Sequence, residues 1–218
     1  MTTFEAVADL MREQAPARHL SARHVDDETV LSLLELACRG AAGRRRRVEF
    51  VVVRDPDVRH QLARIYRQGW SIYKRVLRTR LGDDALLDAR QWEADHFEDV
   101  PVHVVVCVGG RRPPFPAVGA ASFYAGAFAA VQNLLLAARA AGLAAGATTL
   151  ALWSTWEARR TLGLPGSVTP VAVVPLGYPR GRAASWPTPP VGNVVHLDRY
   201  GHQPFRGHIR VAARDVAQ

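Results

Sequence analysis

Lysine, cysteine and methionine are scarce in this 218-residue chain: Lys74 is the one lysine, Cys38 and Cys107 are the two cysteines, and there are two methionines. Two cysteines in apolar surroundings do not build a disulfide framework or a cysteine-rich metal site, and they read as small core residues in a reducing compartment. The eight histidines lack metal-ligand spacing. No Walker A loop, no GxGxxG after a strand and no HExxH occurs. The start, MTTFEAVADLMREQ, is acidic and amphipathic and lacks the basic head and apolar run of a signal peptide, which points to the cytoplasm. A Ser/His/Asp set assembles on paper from Ser122, His103 and Asp99, but no nucleophile elbow marks it.

What replaces lysine is arginine. The formal net charge is +8 and the sequence pI about 10.4. Such a balance suits an anionic partner, and it equally reflects a general arginine bias. Hydrophobic residues make up 48% of the chain, enough for a full core in one large domain. The stretch Pro113 to Ala138 carries no formal charge and is long enough to cross a bilayer. Its Pro116, Ser122, Gln132 and Asn133, and its Ala and Gly content, favour a helix buried in a protein or a subunit interface over a membrane span.

Helix and strand signals alternate along the first half. Asp26 and Asp27 can cap a helix with Val30, Leu33, Leu34 and Ala37 on one face, ended by Gly40 and Gly43. Val48 to Val53 is a β-branched run closed by Asp55-Pro56, and a second helix carries Val58, Leu62, Ile65 and Tyr66 on one side and runs to about Arg80. His96 to Val100 reads as a loop and Val102 to Val108 as a buried strand. An Ala-rich helix from about Ala121 to Ala141 ends at Gly142. Gly146 to Leu150 and Pro170 to Leu176 are further strand candidates, with a short helix from Thr155 to Leu162 between them. The end, rich in Pro and Gly, reads as an arm over a surface. These elements predict an α+β domain, a central sheet flanked by helices.

Five segments carry a resemblance over nearly the whole chain: ARHLSARHVDDETVLSLLELA, VEFVVVRDPDVRHQLA, AFAAVQNLLLAARAAGL, LGLPGSVTPVAVVPLGYP and VVHLDRYG. Their order resembles the nitroreductase family of flavin mononucleotide (FMN) enzymes. The resemblance implies a mixed or antiparallel sheet and an intertwined homodimer with FMN in grooves between subunits. It also implies a core domain over residues 1–180 and a C-terminal arm, 181–218, that crosses the partner. The activity implied is transfer of reducing equivalents from NAD(P)H to a small oxidised acceptor such as a nitroaromatic, quinone or enone, with the cofactor supplying the chemistry.

The same resemblance assigns cofactor residues. Arg18 and His19, just before Leu20, stand where the family has basic residues for the FMN phosphate, while Gln14 and Pro16 replace a usual arginine and small hydroxyl residue. Thr188 and Pro189 stand where another basic residue is usual. Arg44 and Arg46 occupy the places of an Asn and a Gln that usually bond the flavin, and arginines there can donate to flavin carbonyls or, alternatively, supply the missing phosphate contacts. Thr148, Thr149 and Leu150 fall where backbone N–H groups approach flavin N5 and O4. Trp70, Tyr73 and Phe97 fall in the region that often lines the substrate side. The replaced loop leaves a second reading, a relative that binds or sequesters flavin without turnover, or has lost it. A third, nucleic-acid binding through Arg44 to Arg47 with Arg75, Arg78 and Arg80, lacks interleaved aromatic platforms and a recognition motif.

Overall fold

The structure, a computed structural model, describes residues 2–14, 19–40, 48–81, 84–110, 116–181 and 190–207. Two compact units emerge, Gln14–Ala184 and a smaller one formed by Met1–Glu13 with Ser185–Gln218. In the larger unit the strands β1 (Val48–Val53), β2 (Val102–Gly109), β3 (Ala144–Ala145) and β4 (Val168–Gly177) form one sheet in the order β1-β2-β4-β3. Every pairing is antiparallel. Each residue of β2 from Val102 to Val108 is buried. An unbroken apolar strand of this kind demands cover on both faces, and the helices supply it.

Alternation along β2 sorts the two cores. Val102, Val104, Val106 and Val108 pack with helices α2 (Asp27–Cys38) and α5 (Pro116–Ala140). On the opposite face Val105 and Cys107 join Leu62, Ile65 and Tyr66 of α3 (Pro56–Leu81), Leu87 and Ala94 of α4 (Asp84–Asp95), and Ala158 of α6 (Thr155–Thr161). Register slips between Val106 and Cys107, where Pro170 of β4 faces Cys107. A residue without an N–H is tolerated at such a bulge.

Capping follows the sequence closely. The Asp26 carboxylate accepts from the Thr29 N–H at 2.7 Å and opens α2. Asp55 accepts from the N–H groups of Asp57 and Val58 at 2.9 and 3.0 Å, with Pro56 as first residue of α3. Gly142 takes φ 73°, and the next N–H, from Leu143, returns to the Ala138 carbonyl at 2.9 Å. Within the smaller unit, α1 (Thr3–Glu13) opens on a reciprocal box between Thr2 and Glu5, and Gln203 donates to the Asn193 carbonyl at 2.8 Å.

Several expectations need correction. The strand expected over Gly146 to Leu150 is instead Ala144–Ala145, followed by a single bridge from Thr148 to Val173 and a 3-10 turn at Leu150–Leu152. Helix α5 begins at Pro116, a turn earlier than expected. Helix α4 was not anticipated, because its apolar positions are interrupted by charged ones. Cys107 is buried as expected, whereas Cys38 is exposed at the end of α2.

Helix α3 passes close to the turn at Leu150–Leu152 because Gly69 has no side chain. A Cβ there would lie 2.8 Å from the Trp153 Cβ and 3.2 Å from the Leu150 carbonyl oxygen. Alanine gains about 1 kcal/mol of helix propensity over glycine, but overpacking against atoms fixed to the backbone costs roughly 1–3 kcal/mol. Gly69→Ala is therefore expected to be destabilising, read as a lower urea midpoint with unchanged slope.

Candidate functional site

Of the cofactor candidates, Arg18, Arg44 and Arg46 lie outside the described residues. His19 is exposed, its ring packs on Trp92 with centroids 4.2 Å apart, and its carbonyl accepts from the Arg180 N–H at 2.9 Å. Thr148 is buried, and its N–H and carbonyl both bond Val173 of β4, at 2.9 and 2.8 Å. Its N–H is thus committed to the sheet. The Leu150 N–H is taken by the Thr148 hydroxyl at 3.2 Å. Thr149 differs: it is exposed, and its N–H forms no hydrogen bond among the described residues. Of the three, Thr149 is the one whose backbone N–H is not taken by a hydrogen bond among the described residues.

The α3–α4 pair touches both of these segments. Gly69 meets Leu150, Trp70 donates from Nε1 to Gln91 Oε1 at 2.9 Å, and the next residue, Trp92, carries His19 on its ring. Lys74 donates to the same Gln91 oxygen at 2.8 Å. Trp70 and Phe97 are core residues, 2% and 1% exposed, so neither lines a substrate face. Tyr73 is exposed on α3.

A cleft of about 620 Å³ opens beside this pair. His24, Arg54, Arg59, Trp92, His96 and Arg180 line it, together with Glu98 and Asp99. Sequence reasoning missed it, since its residues come from four separated segments and form no motif. Behind the cleft lies His103, completely buried against Phe97 with ring centroids 4.4 Å apart. Neither ring nitrogen makes a hydrogen bond of acceptable geometry. Burial, and secondarily the nearby Arg59 charge, hold its pKa down at about 3, against a small opposing pull from the Phe97 backbone. Ser122 is exposed on α5, across the sheet from His103, so the paper triad is not assembled. Cys107 is no nucleophile either, because burial first and the Glu49 charge second push its thiol up to about 11.

The model of the nitroreductase family matches residues 15–178, and the chain belongs to that family. A protein of Methanothermobacter thermautotrophicus, provisionally named NADH dehydrogenase/NAD(P)H nitroreductase, is 26% identical over 178 residues, 79% of this chain and 77% of its own length. Among solved structures, oxidised iodotyrosine deiodinase bound to FMN and 3-iodo-L-tyrosine superposes with a TM-score of 0.70 at 20% identity, over 89% of this chain and 98% of that one. The NADPH:FMN oxidoreductase of Vibrio harveyi complexed with NAD+ gives 0.67 at 18%, over 89% and 77%. The fold is therefore the nitroreductase fold.

His103 makes the fold sensitive to acid. Its folded pKa, about 3, lies below the unfolded value of 6.5, so between these pH values the unfolded chain binds the extra proton and stability falls as pH drops. The slope is about 1.4 kcal/mol per pH unit, hence about 2 kcal/mol between pH 6.5 and 5. Urea unfolding at pH 7 and pH 5 should show this loss in the native chain, and His103→Leu should flatten the difference by that amount.

Proposed function

We propose that the chain is an FMN-dependent oxidoreductase that passes reducing equivalents from NAD(P)H to a small oxidised acceptor of the nitroaromatic, quinone or enone type. The observation that carries the reading is the uncommitted N–H of exposed Thr149, in a segment pinned to β4 by the Thr148–Val173 bridge. A backbone donor held this rigidly suits a flavin ring without help from side-chain identity. The residues present fit the cofactor in this respect. FMN, when bound, supplies the two-electron redox chemistry.

The chain's own groups would hold and orient it. Thr149 would donate toward the ring edge from its backbone, with the Thr148 bridge and the turn at Leu150 keeping it in place. Arg18 contributes a charge-assisted contact to the phosphate, with His19 beside it on Trp92. Arg44 and Arg46 would donate to ring carbonyls and offset negative charge there. Membership of the nitroreductase family supports this reading, as do the relative named for NAD(P)H chemistry and the neighbour named for FMN and NADPH.

A homodimer belongs to the same proposal. Helix α5 is long and apolar enough to cross a membrane, yet only about a third of its most apolar stretch is buried. Phe128 remains 52% exposed and Val118 74%. An apolar helix with its outer side open suits a second copy of the chain. One sequence feature favours the alternative, flavin binding or sequestration without turnover: Gln14, Pro16, Thr188 and Pro189 stand where the family has phosphate ligands and a hydroxyl.

Cofactor content, turnover and solution mass test these points. Heat-denatured protein should release a compound with the absorption spectrum of FMN, and Arg18→Ala should weaken FMN retention by on the order of 1.5–3 kcal/mol; a colourless protein that fails to take up added FMN overturns the reading, and turnover of NADH or NADPH with an added quinone separates enzyme from sequestering protein. Light scattering at micromolar concentration should give twice the 23.9 kDa chain mass. A stable, well-folded monomer would remove the dimer.

A further inference from the structure

We propose that the cleft between the Leu20–His24 segment, the start of α3 and the end of α4 binds the phosphate group of a small metabolite, at a place separate from the FMN contacts. The inference starts from which charges in its wall are already matched. Arg54 is committed, with Asp27 at 2.7 Å and the Val25 carbonyl at 2.7 Å. Glu98 is also committed, its carboxylate held by His60 at 2.6 Å and Arg67 at 3.4 Å.

Arg59 and Arg180 are different. Arg59 donates to two neutral oxygens, the carbonyls of Glu98 and Val100, at 2.8 and 2.9 Å. Arg180 is anchored through its backbone to His19 and is exposed. Neither guanidinium has a carboxylate partner among the described residues, and Asp99 is the lining acid left to oppose them. The depressed pKa of His103 agrees, since the Arg59 charge is felt by a ring buried behind the wall. On the same wall His96 donates from Nδ1 to the Trp92 carbonyl at 2.9 Å, so Nε2 of the neutral ring is an acceptor, able to take the O–H of a monohydrogen phosphate.

Two guanidinium forks from separate elements, with Asp99 opposing one of them, suit an anion whose several oxygens can accept from both forks at once, as those of a phosphate do. The volume of about 620 Å³ exceeds what a bare ion fills, and it lies within the roughly 300–1,000 Å³ usual for small-molecule sites. The ligand class is therefore a phosphorylated small molecule. The described FMN candidates, His19 and Thr148 to Leu150, do not line the cleft.

Isothermal titration of the full chain with inorganic pyrophosphate, with and without saturating FMN, tests this. One saturable site per chain is expected in both forms at similar affinity. Arg180→Gln should weaken it at least tenfold while circular dichroism and FMN retention stay as in the wild type. Arg180 is the decisive position because Arg59 also ties the backbone at Glu98 and Val100, and its loss can unfold the segment. Arg23→Gln serves as a charge control, since Arg23 sits 4.0 Å over the Tyr178 ring and does not line the cleft; its affinity should match the wild type. Absence of saturable binding, equal affinity in Arg180→Gln, an equal loss in Arg23→Gln, or malonate binding as tightly as pyrophosphate overturns the proposal. Loss of the site when FMN is added also overturns it, by assigning the anion to the cofactor.

Discussion

Burial of β2 on both faces is the constraint on which the rest depends. A strand with no exposed residue from Val102 to Val108 cannot exist beside water, so two helical layers are obligatory. The even valines require α2 and α5; Val105 and Cys107 require α3, α4 and α6. Because side chains alternate strictly, the same register forces His103 inward with Val105, into a layer of Phe97 and Tyr66. A titratable ring ends up dry as a by-product of the strand's position.

The functional groups sit where that packing ends. Thr148 extends the sheet by one bridge beside β4, and the chain then turns away at Thr149. His19 and Arg180 lie on a short antiparallel contact continuing past Leu20 and Pro179. The sheet thus acts as a rigid frame and the exposed segments at its margin carry the chemistry. Trp92 joins the two regions of interest, with His19 on its ring at 4.2 Å and His96 at 4.1 Å.

Elements with a strong period or an explicit cap were legible in the amino-acid order: α2 through Asp26, α3 through the apolar face of Val58, Leu62, Ile65 and Tyr66, β2 through its valines, and the end of α5 through Gly142. The third strand was not, because Ala144–Ala145 has no β-branched signal and the Thr148 bridge depends on β4, which lies far along the chain. Resemblance pointed to Thr148, Thr149 and Leu150 together, yet which of their N–H groups stays unspent is a matter of tertiary hydrogen bonding. Trp70 and Phe97 illustrate the same limit from the other side, since an aromatic near a supposed site and an aromatic in the core look alike in a linear string. The arginine cleft left no sequence trace. Its charges matter through which partners they lack, and partners are set by the fold.

The pairing of Lys74 with Gln91 has a practical side. Apart from the α-amino group, this is the one primary amine in the chain, and it sits on the seam where α3 and α4 share the Gln91 carbonyl with Trp70. An amine-directed probe would therefore mark a single internal address, with an indole 6.0 Å away to act as its optical reporter.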